Sequence, residues 1–88
     1  MVDRNILKFI EDNNLISINS MDEALFSKGK LQSGFFIYLI IEIEDSYNII
    51  FSDEELKMEN FDTVRMIESM INKKTHKIRK IYDDSYQF

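Results

Sequence analysis

Nucleophilic hydrolysis needs a hydroxyl beside a general base, and the chain offers Ser33 and a single histidine, His76. His76 lies among Lys73, Lys74, Lys77, Arg79 and Lys80, where the polar face of a helix explains it better than a catalytic base. Gly29 and Gly34 have the spacing of a phosphate-cradling loop, but Phe35 and Phe36 stand where that loop needs Lys and Ser or Thr. The acids between Asp45 and Glu55 lack the alternating oxygen ligands and central glycine of a calcium loop. Glu42, Glu44 and Asp45 are close enough to act as paired acid and base; with no sign of a pocket they read first as a charged helix face. The expectation is a protein without a self-contained active site or metal site.

The bulk properties narrow the class further. Eighty-eight residues, 44% apolar and 31% charged, suit one compact domain with one core. There is no cysteine, so neither disulfides nor thiolate metal sites can support the fold, and a reducing cytoplasm fits. The longest apolar run, Phe35 to Ile41, is far shorter than the roughly 20 residues of a membrane span. Asp3, Glu11 and Asp12 interrupt any apolar stretch of a secretory signal. Net charge is -5, with the acids concentrated ahead of Thr63 and bases prevailing after it. An acidic body repels nucleic-acid phosphates and suits partners with basic surfaces.

The elements follow from caps and periodicity. Asp3 can cap a first helix carrying Ile6, Leu7, Phe9 and Ile10, with Asn13 and Asn14 as its stop. A long connection from Leu15 to Gln32 contains a capping-box spacing at Ser20 and Glu23, which predicts a single helical turn before a turn at Gly29. Ser33 to Tyr47 is ambiguous: its aromatic and β-branched residues favour a strand, whereas positions 36, 39, 40, 43 and 47 repeat with helical spacing. Ser52 and Glu55 predict a short third helix over Asp53 to Lys57. Thr63 can cap a last helix whose stripe, Val64, Ile67 and Ile71, runs on towards Tyr82. The chain shows no internal repeat, so residues 1 to 82 read as one domain and 83 to 88 as a frayed tail.

One string of residues remains. It is Leu25-Phe26-Ser27-Lys28-Gly29-Lys30-Leu31-Gln32-Ser33, then the apolar segment, then Ile49-Ile50-Phe51-Ser52-Asp53-Glu54-Glu55-Leu56 and Glu59-Asn60-Phe61-Asp62-Thr63-Val64. In order and spacing, from about Asp22 to Ile71, it resembles the acyl carrier protein family. The resemblance implies an all-α fold, a small four-helix bundle with three main helices and a short third one. It makes Ser33 to Tyr47 the second helix. It also implies a core of Phe36, Leu39, Ile40, Ile43 and Tyr47 with Ile10, Phe51, Phe61, Val64, Ile67 and Ile71.

For function, the resemblance implies that Ser33 carries a 4'-phosphopantetheine arm, whose thiol holds an acyl or aminoacyl group as a thioester. A helix start offers free N–H groups and partial positive charge, which suit a phosphodiester. The implied partners are a phosphopantetheinyl transferase and the enzymes that load and transfer the acyl group. They would dock on Gln32, Phe35, Tyr38, Glu42, Glu44 and Asp45. Gln32 and Gly34 stand where the family has aspartate and Leu, Phe or Met, and Tyr38 stands where it often has glutamate. The alternative is therefore a carrier-like docking module without the arm. Phe35 and Tyr38 are apolar for an exposed helix face and point to a partner contact or a dimer interface.

Overall fold

A computed structural model describes the backbone of residues 2 to 86 and the side chains of residues 6 to 75. It contains three α-helices, α1 (Val2–Asn14), α2 (Phe35–Tyr47) and α3 (Val64–Tyr86), and one 3-10 turn, Met58–Phe61, ahead of α3. The described residues contain no strand. A cap at Asp3 implies a helix from Arg4, and α1 begins two residues earlier, at Val2. The helix expected over Asp53 to Lys57 is a turn, and the helical residues come just after it, at Met58–Phe61. The Ser52 and Glu55 box nevertheless forms: Glu55 Oε1 accepts the Ser52 N–H at 2.8 Å, and Ser52 Oγ accepts the Glu55 N–H at 3.3 Å. A capping box makes two good bonds without obliging the chain to continue as a helix. The last helix takes in 83 to 86, which the sequence set apart as a tail, while 87 and 88 lie outside the described residues.

Helical spacing prevails over β-propensity in Phe35–Tyr47, because that winding turns its apolar stripe onto the core. Leu39, Ile40 and Ile43 are buried, and Phe36 and Tyr47 pack against the same cluster. Ile6 and Ile10 of α1 and Val64, Ile67 and Ile71 of α3 complete the packing. Thr63 caps α3 as its sequence position predicts, with Oγ1 accepting the Met66 N–H at 3.0 Å. Phe61, from the 3-10 turn, is fully buried and meets Phe51 and Phe36 edge-on at centroid distances of 5.2 and 5.5 Å. Such edge-on pairs add to the gain from area burial.

The connection from Leu15 to Gly34 has no regular secondary structure, and the single helical turn expected at Ser20 to Phe26 is absent. It is nonetheless packed. Leu25 and Leu31 are buried, and the Leu31 N–H donates to the Leu25 carbonyl at 2.9 Å, closing a compact loop. Within that loop Gly29 has φ +78°, a conformation that explains the glycine.

The structure reveals a local repeat that composition and spacing do not announce. Glu11 and Glu44 occupy matching places in α1 and α2, and each helix ends on a left-handed residue four positions later, Leu15 (φ 53°) and Asn48 (φ 56°). Ile16 and Ile49 then donate their N–H groups to the carbonyls of Glu11 and Glu44, each at 3.2 Å. The carboxylates of the same glutamates accept the N–H groups of Ile18 at 2.9 Å and Phe51 at 3.0 Å. One glutamate thus closes each helix through its main chain and its side chain together. The match extends to Ile10 with Ile43 and Asp12 with Asp45.

Asn adopts the left-handed conformation at little cost, whereas leucine is strained in it. Leu15 is also 92% exposed, so its side chain gains little in return. Replacing Leu15 with glycine is expected to stabilise the protein by about 0.5 to 1 kcal/mol, and thus to raise the thermal midpoint by roughly 2 to 8 °C. Thermal unfolding followed by circular dichroism checks this; an unchanged or lower midpoint contradicts it.

Candidate functional site

Ser33 sits on a short exposed bridge, Gln32-Ser33-Gly34, held between a buried anchor and a partly buried one. On one side is Leu31. On the other, Phe36 packs edge-on against Phe26 at 5.8 Å and against Phe61. The bridge closes as a tight turn: Phe35 N–H donates to the Gln32 carbonyl and Phe36 N–H to the Ser33 carbonyl, both at 3.0 Å. Gly34 is the cap residue of α2, and no side-chain hydrogen bond caps the helix. The Ser33 hydroxyl is therefore not occupied as a helix cap, the ordinary structural reason for a serine at a helix start. It is exposed and attached to a backbone fixed from both sides.

The anchoring of this bridge leads back to Asp62. Its carbonyl accepts the Leu25 N–H at 2.7 Å, and its carboxylate accepts Phe26 N–H at 2.7 Å, Ser27 N–H at 2.9 Å and Ser27 Oγ–H at 2.6 Å. Nearby, Arg65 N–H donates to the Met21 carbonyl at 3.0 Å, and its guanidinium grips both oxygens of Asp22 at 2.7 and 3.1 Å. The start of α3 thus clamps the connection that leads to Ser33. Lys30, two residues before Gln32, is paired with Glu23. Farther along, Lys74 Nζ meets Glu55 at 2.9 Å and lies over the Phe51 ring at 5.9 Å.

The residues expected to meet partners occupy different settings. Gln32, Tyr38 and Asp45 are exposed. Phe35 is partly buried and stacks on Phe9 of α1 at 5.8 Å, and Glu42 accepts the Ser46 hydroxyl at 2.9 Å. Glu44 is engaged with the Phe51 N–H as described above. Ile37, Tyr38 and Ile41 are 64%, 66% and 58% exposed and form an apolar outer face on α2. Ile37 and Ile41 were readable as the residues left over from the buried helical stripe, though the strand-like local composition obscured them. His76, with Lys77, Arg79 and Lys80, lies outside the described side chains. Among the described residues no cluster of His, Cys, Asp or Glu could hold a metal ion.

Two clefts line the seam between α1 and α2. The first, about 430 Å³, is bounded by Asn14, Lys30, Gln32, Gly34, Phe35 and Tyr38; the second, about 470 Å³, by Phe9, Asn13, Phe35, Tyr38, Ile41 and Glu42. They share Phe35 and Tyr38. A third, about 350 Å³, lies on the far side of the clamped loop against Phe26, Met58 and Met66. No helix among the described residues is long and apolar enough to cross a membrane.

Several carboxylates have pKa values below their ordinary range. For Asp62, burial pushes upwards, but the hydrogen bonds from Ser27 and the Phe26 N–H outweigh it. The side-chain bond from Lys30 lowers Glu23, that from Lys74 lowers Glu55, and that from Arg65 lowers Asp22. A lowered carboxylate stabilises the fold fully above its unfolded pKa, and the contribution is lost as pH falls through the folded value. Comparison with protein-family models, with curated proteins and with solved structures gives no match.

Stability should therefore be level above about pH 5 and decline as the medium is acidified through pH 4 and below. Replacing Asp62 with alanine is expected to cost about 1 to 2 kcal/mol at pH 7, since it leaves the Phe26 and Ser27 donors without their acceptor. The same change should make the acid decline shallower. Urea unfolding at pH 7 and pH 3.5 measures both effects, and a variant as stable as the parent at pH 7 would count against the clamp.

Proposed function

We propose that this chain is a carrier protein of acyl carrier type, holding an acyl or aminoacyl group as a thioester on a 4'-phosphopantetheine arm attached to Ser33. The observation that carries the reading is the Ser33 hydroxyl: exposed, not used to cap α2, and borne on a backbone fixed by Leu31 and Phe36. Ser33 has no structural duty to lose on modification. The order of elements supports the same reading: α1, a long clamped connection, Ser33, α2, a short helical turn and α3. So does the bundle, in which the 3-10 turn stands for the short third helix of a four-helix carrier.

The residues present fit the arm. A phosphodiester on Ser33 Oγ would project from an exposed turn, and a Cβ added at the neighbouring Gly34 would meet no atom within 4 Å. The arm supplies the thiol on which the acyl group is carried. The chain supplies position and a docking surface and performs no reaction of its own. A phosphopantetheinyl transferase would attach the arm, and cytoplasmic loading and transfer enzymes of a biosynthetic pathway would meet the protein around Gln32, Phe35, Tyr38, Glu42 and Asp45.

The exposed face of Ile37, Tyr38 and Ile41 favours a second reading, a carrier-like docking module without an arm. Incubation of the protein with coenzyme A, magnesium and a promiscuous phosphopantetheinyl transferase, followed by intact mass measurement, separates the two. The carrier reading expects one arm per chain, and none on Ser33→Ala. No gain, or a gain that survives Ser33→Ala, defeats it.

A further inference from the structure

One stripe on the outer side of α2 is left to water. Gly34, Tyr38, Ile41 and Asp45 recur with helical spacing, and all four are exposed. Ile37 lies beside the stripe, and it, Tyr38 and Ile41 are each more than half exposed. Single apolar residues on a surface are ordinary, but three neighbours on one helix make a patch. The steps along the stripe are four, three and four residues, a spacing that reads the same in both directions.

The two ends of the stripe differ in charge. The first turn of α2 has no acid and its last turn no base. Glu42, Glu44 and Asp45 are gathered in the second half, where the negative end of the helix's own dipole disfavours them. At the other end, Gly34 has φ -62° and ψ -25°, which any residue adopts, and a Cβ there would meet nothing within 4 Å. Neither conformation nor crowding within the chain explains the glycine. Lys30, paired with Glu23, lines the cleft that it shares with Gly34 and Tyr38.

We propose that the outer face of α2 is a self-association surface on which two copies of the chain pair antiparallel. A two-fold axis between Tyr38 and Ile41 sets Tyr38 of each copy against Ile41 of the other, and Asp45 of each against Gly34 of the other. The apolar patch is then covered by its own image. Each acidic end lies along the positive start of the neighbouring helix, and the bare Gly34 backbone lets the Asp45 carboxylate approach it. The stripe of one 13-residue helix is small beside the roughly 800 Å² per partner of a stable interface, so the pair is weak and reversible. The inference makes no use of the Ser33 hydroxyl and stands apart from the carrier reading. If both hold, they exclude each other in time: the pair covers Gly34 and Tyr38, and an enzyme docking on this face meets only the separated chain.

Sedimentation velocity of the full unmodified chain, from micromolar to millimolar concentration, should show a monomer passing reversibly to a dimer. Ile41→Lys should raise the dissociation constant about tenfold or more, and Asp45→Asn about threefold, with unchanged circular dichroism. The chain has no cysteine, so an introduced one reports its own position. Under mild oxidation at dimer-forming concentration, Ile41→Cys should cross-link to itself, its two copies lying about 5 Å apart along the helix axes. Asp45→Cys, with its copies about 16 Å apart, should not. A monomer at every concentration leaves the face to a different protein and overturns the proposal, as does a dimer that Ile41→Lys leaves intact. Failure of Ile41→Cys to cross-link, or self-cross-linking of Asp45→Cys, overturns the antiparallel pair. None of these outcomes bears on the mass gain at Ser33, which decides the carrier reading separately.

Discussion

The connection from Leu15 to Gly34 has no helix or sheet ladder to hold it, and the position of Ser33 depends on how it is held. The principal restraint is Asp62. One residue receives donors from Leu25, Phe26 and Ser27, through its carbonyl and its carboxylate. With Phe26 fixed, the Phe36 ring packs between Phe26 and Phe61, and that packing sets where α2 begins. Long loops without secondary structure are uncommon in small domains, and when ordered they tend to serve function. This one is ordered by a few bonds to the start of α3, and it delivers a serine to the surface.

The legible part of the fold was the part governed by period and by local caps. Thr63 before Val64, Ile67 and Ile71 marks a helix start and its buried face within a few residues, and both are present. The second helix was harder, because Phe35 to Ile41 has strand-like composition and only the spacing of the wider segment opposes it. Ser52 and Glu55 misled in a physical sense: their bonds form as expected, yet they close a turn. Leu25 and Leu31 carry no periodic signal, so nothing local marks them as core. Asp62 reads as the residue before a cap, since its partners lie some 35 positions away in the sequence.

At the candidate site, residue type and neighbours singled out Ser33, while its availability is a three-dimensional property. A serine ahead of an apolar helix ordinarily serves as its cap. Here the helix begins after Gly34, leaving the hydroxyl out of the capping arrangement. Glu44 shows the converse. By position it belongs to an acidic docking face, but its carboxylate holds the Phe51 N–H and helps close α2. The acidic face visible in the sequence is therefore partly structural scaffolding, and the apolar outer face of Ile37, Tyr38 and Ile41 is its unadvertised counterpart.

The bridge Gln32-Ser33-Gly34 lies between buried Leu31 and partly buried Phe36, and its own three residues are exposed. Packing therefore places little constraint on three consecutive positions. Side chains at Gln32 and Gly34 can be exchanged during divergence without disturbing the packing of Leu31 or Phe36, so the surface here can vary while the core stays constant. A lineage built on this scaffold can remodel that surface one residue at a time.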